Sequence, residues 1–120
     1  KPQEADPMRV KIDDQDSYTV IAIKDEVIDF NNISDFRDVL DENAKGTEKN
    51  VILNLAGVNY IGSVGLGMIS LVSVMLSKES RELVVVCDTE EVKRLFHISG
   101  LYRVLKIVEE LSAAERHFAA

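Results

Sequence analysis

Residues 51–87 read VILNLAGVNYIGSVGLGMISLVSVMLSKESRELVVVC, and the order of their apolar runs decides the fold. Val51-Ile52-Leu53-Asn54-Leu55 is short, apolar and β-branched, and Arg81 to Cys87 ends in a second run of the same kind. A strand that buries one face alternates apolar with polar residues, whereas a strand covered on both faces reads as a continuous run. Both segments are therefore expected inside a sheet, with Ile52 and Val85 buried. Between them Ser63 to Lys78 is rich in Leu, Met and Val and reads as a helix buried on most of its sides. Ala56 to Gly62 is expected to be a turn.

Working outward, Met8 to Asp13 and Ser17 to Lys24 both alternate, with the turn Asp13-Asp14-Gln15-Asp16 between them. Period two and a polar turn predict an antiparallel hairpin. Asn31-Asn32 offers helix caps, and Ile33, Phe36, Leu40 and Ala44 follow at helical spacing until Lys45-Gly46. Downstream, Thr89 is expected to cap a helix over Glu90 to His97 that Ser99-Gly100 ends. Val104 to Val108 reads as the last strand and Ser112 to Phe118 as a final short helix. The order predicts an α/β fold: a mixed, mainly parallel sheet of four or five strands, an N-terminal β-hairpin and about four helices. Residues 8–120 are expected to form one domain. The polar, proline-containing residues 1–7 are expected to be a loose tail, with Met8 a candidate start.

Composition narrows the function. Hydrophobic residues are 46% of the 120 and charged residues 29%, the balance of an ordinary globule, while aromatics at 6% and the absence of Trp require an aliphatic core. A net charge of −7 repels phosphate backbones and anionic membranes, so nucleic acid and membrane surfaces are poor partners and a basic protein patch a better one. Lone Cys87 lies in an apolar run and reads as a small buried residue. The apolar run Ile69 to Leu76 is broken by Ser70 and Ser73, and no signal-like segment opens the chain, which predicts a cytoplasmic protein. No cofactor or metal is expected. His97 and His117 lack ligand-type neighbours, and Glu90-Glu91 and Glu109-Glu110 are adjacent residues that point apart.

Tyr60-Ile61-Gly62-Ser63-Val64-Gly65-Leu66-Gly67-Met68-Ile69 carries the functional signal, at the entry to a helix. A nucleophile elbow requires Gly-x-Ser-x-Gly, but Gly62 directly precedes Ser63. A phosphate-cradling loop requires Lys and a hydroxyl residue after its last Gly, where Met68-Ile69 stand, and the glycine spacing is the reverse of a dinucleotide fingerprint. Enzyme chemistry is therefore not expected. Two readings remain for Ser63: a helix N-cap, or a phosphorylation acceptor at the positive end of a helix. Gly65 is expected to tolerate no side chain, with Gly65→Val harming partner binding more than stability.

This stretch, with Val92-Lys93-Arg94-Leu95-Phe96-His97-Ile98-Ser99-Gly100-Leu101, resembles the STAS family, and within it the bacterial anti-sigma factor antagonists. The resemblance covers about Met8 to Phe118. It implies docking onto a kinase-type anti-sigma regulator of the GHKL class, phosphorylation of Ser63 by that partner, and reset by a phosphatase. Partner contacts are implied for Asp29, Asn31, Gly62, Ser63, Val64, Gly65, Leu66 and Gly67. The chain departs from the family pattern where Gly62 replaces an Asp and Val64 a second hydroxyl residue, and the segment Asp25-Glu26-Val27-Ile28-Asp29 carries an apparent insertion. The rival expectations are a STAS scaffold that is not phosphorylated and a small Ser63-dependent hydrolase. A monomer or weak dimer is expected.

Overall fold

Val10–Asp14 (β1) and Tyr18–Ile23 (β2) pair antiparallel, with Val10 opposite Ile23 and Asp14 opposite Thr19, in a computed structural model that describes residues 7–119. Asn50–Asn54 (β4) runs parallel beside β2, Leu83–Val86 (β6) beside β4, and Lys106–Val108 (β7) beside β6. The five-stranded sheet has the order β1-β2-β4-β6-β7. Among the described residues four α-helices complete it: Ile33–Leu40 (α1), Ser63–Lys78 (α2), Glu90–Ile98 (α3) and Leu111–Phe118 (α4). The expected mixed, mainly parallel sheet with its N-terminal hairpin is the observed one. Of the tail expected over residues 1–7, all but the exposed Pro7 lie outside the described residues.

Both faces of the sheet are covered, which is why its inner strands do not alternate. Val51, Leu53, Val85 and Cys87 face the layer of α1, α2 and α3, where Phe36, Leu40, Ile69, Leu76 and Phe96 complete the larger core. Ile52, Val84 and Val86 point the other way, against Ala114, Leu111 and Phe118 of α4. Ile52 and Val85 are both 0% exposed, as the uninterrupted apolar runs require. Full burial of one such side chain stabilises by about 1.5–3 kcal/mol.

Three local features depart from the expected elements. Val27–Ile28 (β3), in a segment given no element above, and Tyr60–Ile61 (β5), inside the expected turn, pair as a separate two-stranded parallel sheet. The last strand begins at Lys106 rather than Val104. Gly100, at φ +83°, turns the chain into a 3-10 turn over Leu101–Arg103, and Val104 and Leu105 donate their N–H groups to the Leu101 carbonyl at 3.0 and 2.9 Å. Those donors are thereby withdrawn from the ladder, and Val104 is left 70% exposed. Finally, α1 widens into a π turn over Asp41–Lys45 before β4. The guanidinium of Arg81 ties that turn to β4, donating to the carbonyls of Ala44 and Lys49 at 3.1 Å each.

Helix α2 ends on Ser80 at φ +61°, while Arg81 N–H returns to the Leu76 carbonyl at 2.8 Å. That left-handed position is usually filled by glycine, because a Cβ there crowds the following carbonyl. Ser80→Gly is expected to raise the unfolding free energy by about 0.5–1 kcal/mol, read from urea denaturation. A loss of stability would mean that the unfolded chain's gain in freedom outweighs the relieved crowding.

Candidate functional site

The small β3–β5 sheet places the site. Ile28 and Ile61 face each other in its register, both fully buried, and the N–H of Gly62 donates to the Ile28 carbonyl at 2.9 Å. The start of α2 is thus fastened to the segment that leads into Asp29. Gly65 is buried against the same two residues: a Cβ on it would stand 2.9 Å from Ile61 Cγ1, 3.1 Å from Ile61 Cδ1 and 3.3 Å from Ile28 Cγ2. Glycine at 65 is therefore required by packing inside the domain, so Gly65→Val carries a stability cost of its own beside any effect on partner binding.

Ser63 is not the N-cap. Gly62 holds that position at φ −78°, ψ 169°, its carbonyl accepts the Leu66 N–H at 3.0 Å, and among the described residues no side chain caps the helix. Ser63 is the first helical residue and is exposed, with no acidic residue in the first turn beside it. The three N–H groups of this turn consequently point outward with a partial positive charge.

On the opposite side, the loop ahead of α1 is fixed by its own polar side chains. Asp29 accepts the Asn31 N–H at 2.9 Å, Asn32 Oδ1 accepts the Asp29 N–H at 2.9 Å, and Asn32 Nδ2 donates to the Val27 carbonyl at 2.7 Å. Asn32 occupies the N-cap position of α1, but its side chain is committed backwards and makes no capping bond. The loop holds Phe30 at its tip, 85% exposed.

Between the loop and the start of α2 lies a cavity of about 240 Å³, with Asp29, Phe30 and Ile33 on one side and Tyr60, Gly62, Ser63 and Val64 on the other. The structure therefore brings together Asp29, Gly62, Ser63, Val64 and Gly65. Asn31 is exposed and turns to a neighbouring hollow beside Arg9 and Asp25, Leu66 is buried in the core, and Gly67 lies one turn along the outer face of α2. Sequence reasoning assigned nothing to Phe30 or Tyr60. Tyr60 stood in the quoted stretch, but an aromatic after Asp29 carries no signal until the loop is folded.

Other chemistry-bearing groups are spoken for. Cys87 is fully buried, and burial pushes its thiol up to about 11. A larger hollow of about 670 Å³ lies between α3 and β7, but its Lys93 is held by Glu90 at 2.9 Å and Glu109 at 3.0 Å, and His97 stacks on Tyr102 at 4.0 Å. Those two carboxylates push the Lys93 ammonium pKa up. Among the described residues no cluster of three His, Cys, Asp or Glu side chains is placed to hold a metal ion, and no helix is long and apolar enough to cross a membrane. The Ser63 cavity includes one carboxylate, that of Asp29, and no histidine.

Nothing in the backbone demands glycine at 62. Its φ of −78° suits any residue, and a Cβ would meet its nearest neighbours at 3.8 and 3.9 Å. Gly62→Asp is expected to cap α2 and add a few tenths to about 1 kcal/mol of stability, measured by thermal unfolding at low and high salt. The gain should shrink as salt screens the carboxylate from the helix end.

Comparison with known proteins agrees with this architecture. The chain is 24% identical over 102 residues to an anti-sigma-B factor antagonist of Staphylococcus aureus, covering 85% of this chain and 94% of that protein. The crystal structure of an anti-sigma factor antagonist from Mycobacterium paratuberculosis superposes with a TM-score of 0.79 at 20% identity, over 94% of this chain and 95% of that one. The family model of the STAS domain matches residues 9–114, and the chain belongs to that family.

Proposed function

We propose that this STAS domain is an anti-sigma factor antagonist, working in the cytoplasm by docking onto a kinase-type anti-sigma regulator and switched by phosphorylation of Ser63. One observation supports it above the others: Ser63 is exposed at the uncapped start of α2, in a cavity that also contains Asp29 and is rimmed by Phe30, Tyr60 and Val64. Exposed aromatic and aliphatic side chains around a polar centre suit a protein partner. The Staphylococcus relative is named an anti-sigma-B factor antagonist, which supports an anti-sigma factor as the class of partner.

In this reading the unmodified domain presents a neutral hydroxyl, and the partner covers the cavity and the adjoining turn of α2. Transfer of the terminal phosphoryl group of ATP to the Ser63 oxygen, with release of ADP and the hydroxyl proton, adds nearly two negative charges there. The first-turn N–H groups hold the phosphate on the free domain. In the complex the same charge has to be desolvated against a partner shaped for a hydroxyl, so the complex weakens, and a phosphatase restores it.

Gly62 in place of the family's carboxylate favours a second reading, a scaffold that docks without a switch. Incubating the domain with its purified anti-sigma partner and ATP, then mapping phosphate by mass spectrometry, separates the two. Phosphate on Ser63, abolished in Ser63→Ala, is the expected result. Docking with no phosphate on any residue leaves the scaffold; no docking at all removes both readings.

A further inference from the structure

We infer that Phe30 is the anchor of partner docking and that Asn32 is the residue that positions it, an inference that rests on the docking role proposed for the Ser63 surface. Phe30 is 85% exposed, more than any other large apolar side chain among the described residues. A ring left in water forgoes the stabilisation that burial would give, so its placement does nothing for the free domain. The loop beneath it is nevertheless tied down on both sides. Asp29 accepts the Asn31 N–H at 2.9 Å, and the Asn32 N–H donates to the Asp29 carbonyl at 3.1 Å. The Asn32 side chain closes the clasp, accepting the Asp29 N–H at 2.9 Å and donating to the Val27 carbonyl at 2.7 Å. An aromatic side chain held out on a fixed backbone loses little freedom when a partner covers it, which is the condition for a binding hot spot.

Asn32 fixes this loop at the expense of its own helix. It stands at the N-cap of α1, where an Asn side chain ordinarily accepts a first-turn N–H, yet it makes no such bond. Its backbone, at φ −128° and ψ 15°, lies outside the extended region that a capping residue uses. Helix α1 thus starts without a side-chain cap while the amide works backwards on the segment that presents Phe30. A residue that breaks the local rule of its helix to hold a neighbouring loop marks that loop as a working part.

The surroundings of the ring define the surface that receives it. Phe30 lines the same cavity as Ser63, Tyr60 and Val64, and the register of the small sheet sets exposed Val27 beside Tyr60. On the other flank of the loop, Asp25, Glu26 and Asp29 line a hollow with Arg9, whose guanidinium is 3.5 Å from Asp25. Carboxylates outnumber cations there. The anti-sigma regulator therefore offers an apolar pocket for the ring with lysine or arginine beside it. Phe30 supplies affinity to the unmodified complex, and Ser63, across the cavity, supplies the switch.

Calorimetric titration of the purified anti-sigma regulator with wild type, Phe30→Ala, Asn32→Asp and the double variant tests both roles. Phe30→Ala should raise Kd at least about ten-fold and leave the melting temperature of the free domain unchanged. Asn32→Asp keeps the oxygen that accepts the Asp29 N–H but loses the donor to Val27. It should raise Kd about three- to ten-fold and speed amide exchange at Asp29 and Asn31 in the free domain, with no further effect on Kd once residue 30 is alanine. A mere change of charge or general loosening would persist in the double variant, so additive losses overturn the positioning role. Glu26→Lys, on the exposed flank, should weaken binding most at low salt, and an unchanged affinity removes the basic flank from the partner. Ser63→Asp serves as the control for docking itself. Binding that falls with Ser63→Asp but not with Phe30→Ala overturns the anchor and leaves the docking reading intact. A wild type that binds no anti-sigma regulator removes both. Self-association of the free domain that Phe30→Ala abolishes, with affinity for the regulator unchanged, would assign the ring to a second copy and also overturn the anchor.

Discussion

Gly65→Val is expected to lower the unfolding free energy by about 2–3 kcal/mol and to loosen the start of α2 at the same time. The new Cβ has no free direction. It enters at 2.9 Å from Ile61 Cγ1 and 3.3 Å from Ile28 Cγ2, and both isoleucines are fully buried beneath the helix. Cγ1 lies close to the backbone, so a change of its terminal rotamer does not relieve the contact; the helix start has to lift from the β3–β5 sheet. Chemical denaturation of the wild type, Gly65→Val, and Gly65→Val combined with Ile61→Val measures the effect. The double variant trims a methyl from the obstructing side chain and should recover part of the loss, a coupling expected only between residues in contact. Independent, additive losses would show that the contact does not limit the site.

The larger frame of the fold is legible in the sequence because burial on two faces leaves a mark. Val51-Ile52-Leu53 and Val84-Val85-Val86 send successive side chains to opposite layers, and neither layer offers water. What stayed hidden was set by contacts between segments far apart in the chain. The two-residue strands β3 and β5 are too short to show a period, and they exist because Val27–Ile28 lies beside Tyr60–Ile61 across more than thirty intervening residues. Asn32 reads as a cap from its neighbours, yet its amide is drawn to the Val27 carbonyl and the Asp29 N–H instead. Of the two readings of Ser63, the cap is excluded only once the helix is folded, because Gly62 takes the cap position and its carbonyl accepts the Leu66 N–H. That placement matters for the proposed switch. A cap serine has its oxygen engaged by its own helix, whereas the first helical residue presents its hydroxyl outward.

The Asp29 loop and the Ser63 turn come from separate stretches of chain, and only the small sheet makes them one surface. Gly65 links its stability to its function: the residue that lets α2 settle on Ile28 and Ile61 also fixes where Ser63 stands. Gly62, in contrast, is free of such duty. The chain therefore lacks the neighbouring carboxylate for a reason unrelated to backbone strain, and its absence lowers the negative charge beside the proposed acceptor.

Ser63→Asp is expected to weaken binding to the anti-sigma partner by about 2–5 kcal/mol, roughly 30-fold to several-thousand-fold in Kd, with Ser63→Ala close to wild type. The Asp side chain places a full negative charge where the proposed interface covers a neutral hydroxyl, and an unpaired charge buried in this way is not compensated by its neighbours. Ser63 is exposed at the tip of the first turn, so the substitution leaves the core untouched and the free domain should fold normally. Interaction with the helix end should even favour the Asp variant slightly in thermal unfolding. Calorimetric titration of the partner with wild type, Ser63→Ala, Ser63→Asp and Ser63→Asn separates charge from size. Asn has nearly the shape of Asp without its charge, so it should bind much closer to wild type than Asp does. If Asn and Asp are equally poor, crowding rather than charge opposes docking, and a phosphate would act by bulk alone. If all four bind alike, Ser63 lies outside the interface and the proposed switch has no place to act.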